Sequence, residues 1–181
     1  MLHIAGLAAM TVAVAEAMGL TREEICRGVA SYEPADNRLR VEKLPQGRMM
    51  INDSYNANPR SVSADVRILA QHQGGKRIAM LGDMKELGTA AQSGHESVGQ
   101  LVGELGIEIL LAVGPLCKDY MVPAAKAAGC PDVRWYENRE AVKEDLLSLY
   151  GPGDCVLLKA SHFFGRFDLM ADFLRDYQFE K

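Results

Sequence analysis

Between residues 49 and 177 short apolar runs alternate with amphipathic segments in a steady order, and this alternation restricts the fold more than any other feature of the chain. Strands are expected at Met49–Asn52, Arg77–Leu81, Ile107–Val113, Val133–Tyr136 and Cys155–Lys159. Helices are expected at Ser61–Gln73, Ser93–Leu105, Leu116–Ala128, Asn138–Leu149 and Gly165–Tyr177. Local punctuation supports the division: Ser61 and Asn138 are suited to N-caps, Ser93 with Glu96 forms a capping-box pattern, and Gly74, Gly106 and Gly129 are suited to helix stops. Repeated strand–helix–strand order implies an α/β fold, a doubly wound and mainly parallel sheet with right-handed crossovers.

The chain ahead of this region reads differently. Ile4–Met18 is apolar and alanine-rich, but it has no basic leader and contains Glu16, so a buried helix fits better than a signal peptide or membrane span. Gly19 is placed to end that helix, and Thr21 with Glu24 forms a capping box that starts a second one. Residues 31–37, with Pro34, Asp36 and Asn37, read as a connection, followed by a possible strand at Arg38–Glu42. We therefore expect a short helical tail over residues 1–42 and a sheet domain over 43–181, with the opening helix belonging to a longer protein.

With 181 residues, of which 48% are hydrophobic, the chain is large enough for one real core. A net charge of -4 with dispersed Lys and Arg gives no footprint for nucleic acid. Cys26, Cys117, Cys130 and Cys155 are far apart and unpaired in pattern, which suits reduced thiols in a cytoplasmic protein and disfavours structural zinc.

In a parallel sheet every strand ends at the same edge, where ligands bind. Four loops should meet there: Asp53–Asn58, Gly82-Asp83-Met84-Lys85-Glu86, Gly114-Pro115 and Lys159-Ala160-Ser161-His162. The densest is Asp53-Ser54-Tyr55-Asn56-Ala57-Asn58-Pro59, where an apolar run stops and polar side chains follow at once. An ordinary Asx-rich turn explains that stretch alone; convergence with Asp83, Lys85 and Lys159 favours a site.

Several chemistries are disfavoured. No Gly-x-x-x-x-Gly-Lys-Ser/Thr loop and no Gly-x-Gly-x-x-Gly fingerprint occurs, so this chain has no phosphate cradle or dinucleotide turn of those kinds. Ser161 and His162 lack the frame of a nucleophile elbow. His3, His72, His95 and His162 show no metal-ligand spacing, and Phe163, Phe164, Phe167 and Phe173 suit packing. A phosphoacceptor receiver shares the topology, with Asp53 and Lys159 in suitable places, but the segment after its third strand, Ala112-Val113-Gly114-Pro115, lacks the required aspartate.

Asp53-Ser54-Tyr55-Asn56-Ala57-Asn58-Pro59, Leu81-Gly82-Asp83-Met84-Lys85-Glu86-Leu87-Gly88 and Leu157-Leu158-Lys159-Ala160-Ser161 together resemble the Rossmann-like C-terminal domain of the Mur ligase family, over residues 38–177. The segment with Gly6-Leu7-Ala8-Ala9 and Asn37-Arg38-Leu39 is similar to the end of that family's central ATPase domain. The resemblance is to the branch that adds D-alanyl-D-alanine to UDP-N-acetylmuramoyl-tripeptide in peptidoglycan synthesis. It implies use of ATP, a tripeptide acyl phosphate and attack on it by the dipeptide amine. Mg2+ ligands, the ATPase loop and the nucleotide-sugar site would lie in N-terminal and central domains that this chain lacks, so it should be inactive alone.

Carried to this sequence, the resemblance gives Arg38 a catalytic role at the transferring phosphate, which suits a fixed planar cation. Asp53 would accept hydrogen bonds from the ATP ribose, with Tyr55, Asn56 and Asn58 in the nucleotide-lining loop. Asp83, Lys159 and Ser161 would hold the dipeptide. Two positions depart from the family: Ala5 replaces an asparagine near the adenine, and Lys159-Ala160-Ser161-His162 replaces Lys-Gly-Ser-Arg, which bears on how the acceptor carboxylate is paired. A sibling ligase with another amino-acid acceptor, or a non-catalytic receiver- or flavodoxin-like ligand module, remains the alternative.

Overall fold

The computed structural model describes residues 2–33, 35–161 and 165–179, with the side chains of residues 2–5 and 7 left aside. His162, Phe163 and Phe164 and the side chains of His3 and Ala5 therefore lie outside the described residues. The chain forms two compact units, Met1–Ala35 and Asp36–Lys181. The division falls ahead of the expected 42/43 boundary because the first strand, beginning at Arg40, pairs within the sheet.

The first unit is a helix pair, α1 (Leu2–Ala17) and α2 (Arg22–Ala30). Gly19 turns the chain between them at φ +82°. The expected capping box starts α2: Thr21 N donates to Glu24 Oε2 at 2.8 Å and Glu24 N to Thr21 Oγ1 at 3.3 Å. Among the described residues no helix is long and apolar enough to cross a membrane.

The second unit carries six strands: β1 (Arg40–Lys43), β2 (Met49–Asn52), β3 (Arg77–Gly82), β4 (Ile109–Val113), β5 (Asp132–Tyr136) and β6 (Cys155–Lys159). Their order in the sheet is β1-β2-β6-β3-β4-β5. Only β1 runs antiparallel, paired with β2 from Arg40↔Asn52 to Lys43↔Met49 across the Pro45–Gly47 turn. Helices α3 (Pro59–Leu69), α4 (Ala91–Glu104), α5 (Val122–Ala127), α6 (Lys143–Leu149) and α7 (Phe167–Asp176) cover the two faces.

Strand side chains alternate between two cores, which is why these strands read as unbroken apolar runs. Ala79, Leu81, Leu110, Ala112 and Leu157 pack with Val62, Val66, Val98, Val102 and Ala125 of α3, α4 and α5. Ile78, Met80, Leu111, Val156 and Leu158 pack with Leu146 of α6 and Phe167, Met170 and Leu174 of α7. The chain moves outward through β3, β4 and β5 along the first face, then returns past the second to insert β6 between β2 and β3. The carboxyl ends of β2, β6 and β3 are thereby neighbours.

Several helix starts differ from expectation. Asn58, not Ser61, is the N-cap of α3: Asn58 Oδ1 accepts from Ser61 N at 2.9 Å, and Ser61 Oγ accepts from Asn58 N at 3.2 Å. Pro59 holds the N1 position, where a missing N–H costs nothing. Ser93 lies inside α4, which follows a 3-10 turn at Gly88–Ala90 and has no side-chain cap. Asn138 Oδ1 instead accepts from Glu140 N and Ala141 N, closing a turn ahead of α6. The expected Leu116–Ala128 helix opens with a π turn at Cys117–Met121 before α5.

Ala160 is fully buried, and its methyl occupies space left by two glycines. A Cβ built on Gly82 would lie 2.7 Å from Ala160 Cβ, and one on Gly165 would lie 2.5 Å from it. Gly82→Ala should therefore lower stability by about 1–3 kcal/mol through overpacking. Adding Ala160→Gly should recover part of that loss, read from urea unfolding midpoints in a double-mutant cycle; additive losses would contradict the contact.

Candidate functional site

At the end of β2 the chain is turned by buried polar groups. Asn52 Oδ1 accepts from Ser54 Oγ at 2.7 Å and from Ser54 N at 3.3 Å, and Asn52 Nδ2 donates to Asn37 Oδ1 at 2.8 Å. This directs Asp53 toward the site, with its side chain still 17% exposed. Asp53 Oδ1 accepts from Leu39 N at 3.0 Å. Its Oδ2 is paired with the ammonium of Lys159.

Lys159 is 1% exposed at the end of β6. Besides Asp53 it donates to Asn56 O at 3.0 Å and lies 2.9 Å from Oδ2 of Asp65, a buried side chain on α3. The Asp65 contact is an ion pair outside hydrogen-bonding angles, so this oxygen has no aligned donor. Taking an ammonium and two carboxylates out of water costs several kcal/mol per ion unless they neutralise one another. The cluster is therefore bound together: Lys159 fixes the start and middle of the Asp53–Asn58 loop and the helix that follows it.

The two carboxylates respond oppositely. Burial raises Asp53, but hydrogen bonding with Asp65, the charge and hydrogen bond of Lys159 and the Leu39 N–H outweigh it, and the net shift is downward. Burial pushes Asp65 up to about 7, with Lys159 opposing and Asp53 adding to the rise. Asp53 is thus the ionised partner of Lys159, and Asp65 exchanges its proton near neutrality.

The remaining loop residues are more open. Tyr55 is 46% exposed, and the Arg38 guanidinium lies over its ring, 3.9 Å from the centroid. Asn56 Oδ1 accepts from Ala57 N at 2.8 Å. The Asn58 side chain is committed to capping α3. Arg38, Asp53, Tyr55 and Lys159 are thus brought together as one group.

Beyond β3 a second loop is pinned at three successive residues. Asp83 Oδ1 accepts from Cys117 N at 2.9 Å, Met84 N donates to His95 Nε2 at 3.0 Å, and Lys85 N donates to Ser161 Oγ at 3.0 Å. His95 is buried and its Nδ1 lies 2.7 Å from Ala91 O, which assigns the proton to Nδ1 and leaves Nε2 as acceptor. Asp83, His95 and Cys117 lie close enough together to ligate a metal. The pinning uses the Asp83 and His95 ligand atoms, however, and Lys85 Nζ sits 2.9 Å from Asp83 Oδ2. Burial and the Asp83 carboxylate drive the Cys117 thiol far above its ordinary range, which also opposes a metal-binding thiolate.

This loop forms one wall of a cleft of about 410 Å3, with Asp83, Lys85, Glu137, Asn138, Arg139 and Glu140 among its lining. Its charges are of both signs. Of the three residues expected at the acceptor, Asp83 reaches the cleft, Lys159 is buried in its carboxylate cluster, and Ser161 supports Lys85 N. Sequence reading did not place Asp65 or Arg139 at this edge. Arg139 belongs to the turn closed by Asn138, whose Asx signal was the available clue. A larger groove of about 580 Å3 between α4 and α5 includes Glu96, Glu104 and Asp119 in its lining but none of these groups.

The raised Asp65 has a consequence for stability. In the unfolded chain it titrates near the ordinary carboxylate value, so between that value and about 7 the folded state holds the extra proton. Stability from this group is present at low pH and is lost as pH rises through about 7. Urea unfolding of the wild type relative to Asp65→Asn should show a loss of roughly 1–4 kcal/mol between pH 5 and pH 8. Parallel pH profiles would contradict it.

Comparison with known proteins places this chain in a family. Residues 37–162 match the family described as Mur ligase, glutamate ligase domain. The UDP-N-acetylmuramoyl-tripeptide--D-alanyl-D-alanine ligase of Escherichia coli K12 is 35% identical over 102 residues, covering 56% of this chain and 22% of that protein. The Treponema pallidum enzyme of the same name is 31% identical over 164 residues, 88% of this chain and 34% of that one. A crystal structure of MurF from Acinetobacter baumannii superposes with a TM-score of 0.79 at 28% identity, covering 92% of this chain and 36% of that chain. MurF from Thermotoga maritima in complex with ADP shares the fold, with a TM-score of 0.75 at 23% identity, 91% and 36% coverage. The chain thus spans about a fifth to a third of the length of these relatives. Over residues 37–162 it carries the family's domain, and it belongs to the Mur ligase, glutamate ligase domain family.

Proposed function

We propose that this chain is the nucleotide- and acceptor-facing part of an ATP-dependent ligase that adds D-alanyl-D-alanine to UDP-N-acetylmuramoyl-tripeptide. One observation carries the reading: Arg38 and the partly exposed Asp53 share one sheet edge with a cleft whose charges are of both signs. A relative whose structure is described in complex with ADP supports the nucleotide side.

Asp53 suits the ribose because it is held ionised yet part-exposed, with lone pairs for hydroxyl donors. Arg38 suits a phosphate undergoing transfer, since charge stabilisation at fixed positions is what acyl-phosphate chemistry requires. Tyr55, Asn56 and Asn58 shape the nucleotide loop. In the cleft, Lys85 and Arg139 suit the acceptor's carboxylate, while Asp83, Glu137 and Glu140 suit its amine. Lys159 and Ser161 serve the acceptor through the loops they hold. The donors of the Asp83–His95–Cys117 group are already engaged, so Mg2+ would be held by domains that precede residue 36 in the complete enzyme. Residues 1–35 would be the end of the central ATPase domain, the chain alone would be inactive, and the setting would be cytoplasmic.

Two substitutions in the complete ligase separate the halves of this reading. Asp53→Ala should raise KM for ATP and lower kcat, and Arg139→Ala should raise KM for the dipeptide about 10-fold with KM for ATP nearly unchanged, the loss of one charged hydrogen bond. Unchanged ATP kinetics in Asp53→Ala would overturn the nucleotide role. Unchanged dipeptide kinetics in Arg139→Ala would overturn the acceptor cleft.

A further inference from the structure

Arg38 is held in an unusual way. Its two neighbours, Asn37 and Leu39, both have left-handed backbone, with φ of 59° and 46°. Asparagine tolerates that region; for leucine it costs of order 1 kcal/mol or more and persists only when the surroundings impose it. Here they do. Asn37 O accepts from Tyr55 N at 3.0 Å, Asn37 Oδ1 accepts from Asn52 Nδ2 at 2.8 Å, and Leu39 N donates to Asp53 Oδ1 at 3.0 Å. The segment is strapped to the loop after β2 on both sides of Arg38.

Between these straps the Arg38 guanidinium rests on the ring of Tyr55. Among the described residues no carboxylate is paired with it. The difference matters chemically. A carboxylate would neutralise the guanidinium and consume its N–H groups, whereas an aromatic face attracts the cation without taking up its N–H donors. An arginine presented in this way is prepared for an anion that arrives later. A tyrosine 46% exposed, which packing alone does not require, has a use in such a site.

We propose that Tyr55 is a positioning residue: its ring fixes Arg38 so that the guanidinium edge meets a phosphate group of the nucleotide or acyl phosphate. This rests on the reading of Arg38 as the phosphate-reaching cation. Tyr55 thereby acts through Arg38, and the loop that carries Asp53 also aligns the cation.

In the complete ligase Tyr55→Leu should lower kcat about 3- to 30-fold, the range of a cation–π contact, while KM for the dipeptide stays within about twofold. Tyr55→Phe, which keeps the ring, should restore most of the loss. Arg38→Ala assayed in parallel separates the two claims. If Arg38→Ala leaves turnover intact, the reading of Arg38 fails. If it abolishes turnover while Tyr55→Leu does not lower kcat, the positioning role fails and the Arg38 reading stands. In the 181-residue chain, ring-current displacement of the Arg38 Cδ and Nε proton resonances should be present in wild type and Tyr55→Phe. Its absence from wild type would overturn the proposal independently of activity.

Discussion

The ammonium of Lys159, sealed at the end of β6 against the carboxylates of Asp53 and Asp65, is the interaction on which the rest of the site depends. Three segments that are separate in sequence meet on it: the strand that ends in Lys159, the loop opened by Asp53, and the helix carrying Asp65. A lysine this buried is unstable without opposite charge, and a carboxylate as buried as Asp65 is unstable without a cation beside it. Neither partner is replaceable by solvent. The loop between Asp53 and Asn58 is consequently fixed from beneath, while its outer side, with Tyr55 and part of Asp53, stays open. One buried group thus holds the floor of the loop, and the exposed groups face outward from it.

Strand order is what makes that meeting possible. The return of the chain from β5 inserts β6 between β2 and β3, so the Lys159 end lies beside both Asp53 and Gly82. On the β3 side, His95 and Ser161 accept successive backbone N–H groups of Met84 and Lys85, and Asp83 caps the turn at Cys117. On the β2 side, Asn37 and Leu39 are tied to the loop that carries Asp53. The sheet edge is therefore divided in two: a side centred on Arg38, Tyr55 and Asp53, and a charged cleft bounded by Asp83, Lys85 and Arg139.

Much of this was legible in the sequence, and what was not has a physical reason. Strands buried on both faces announce themselves as apolar runs, and the abrupt stop at Asp53 marks a strand end, so the α/β sheet and its loaded edge followed from local pattern. Asp65 did not, because one carboxylate between Val62 and Val66 on a helix reads as solvated; it is buried only because Lys159 arrives from 94 residues away in the chain, 159 against 65. The caps were misplaced where neighbouring residues competed, as when Asn58 took the position expected for Ser61. Arg139 was hidden inside an expected helix that in fact begins at Lys143, after the turn closed by Asn138. Ala160, expected to bear on the acceptor loop, fills the space over Gly82 and Gly165, facing the core.

Lys159 is the sealed counter-ion that organises the loop. NMR observation of its 15Nζ group in the 181-residue chain addresses this without altering the protein. The expected result is ammonium protons protected from solvent exchange at neutral pH and correlated with the carboxyl carbon of Asp53. A freely exchanging ammonium, uncoupled from the Asp53 carboxyl, would contradict this role.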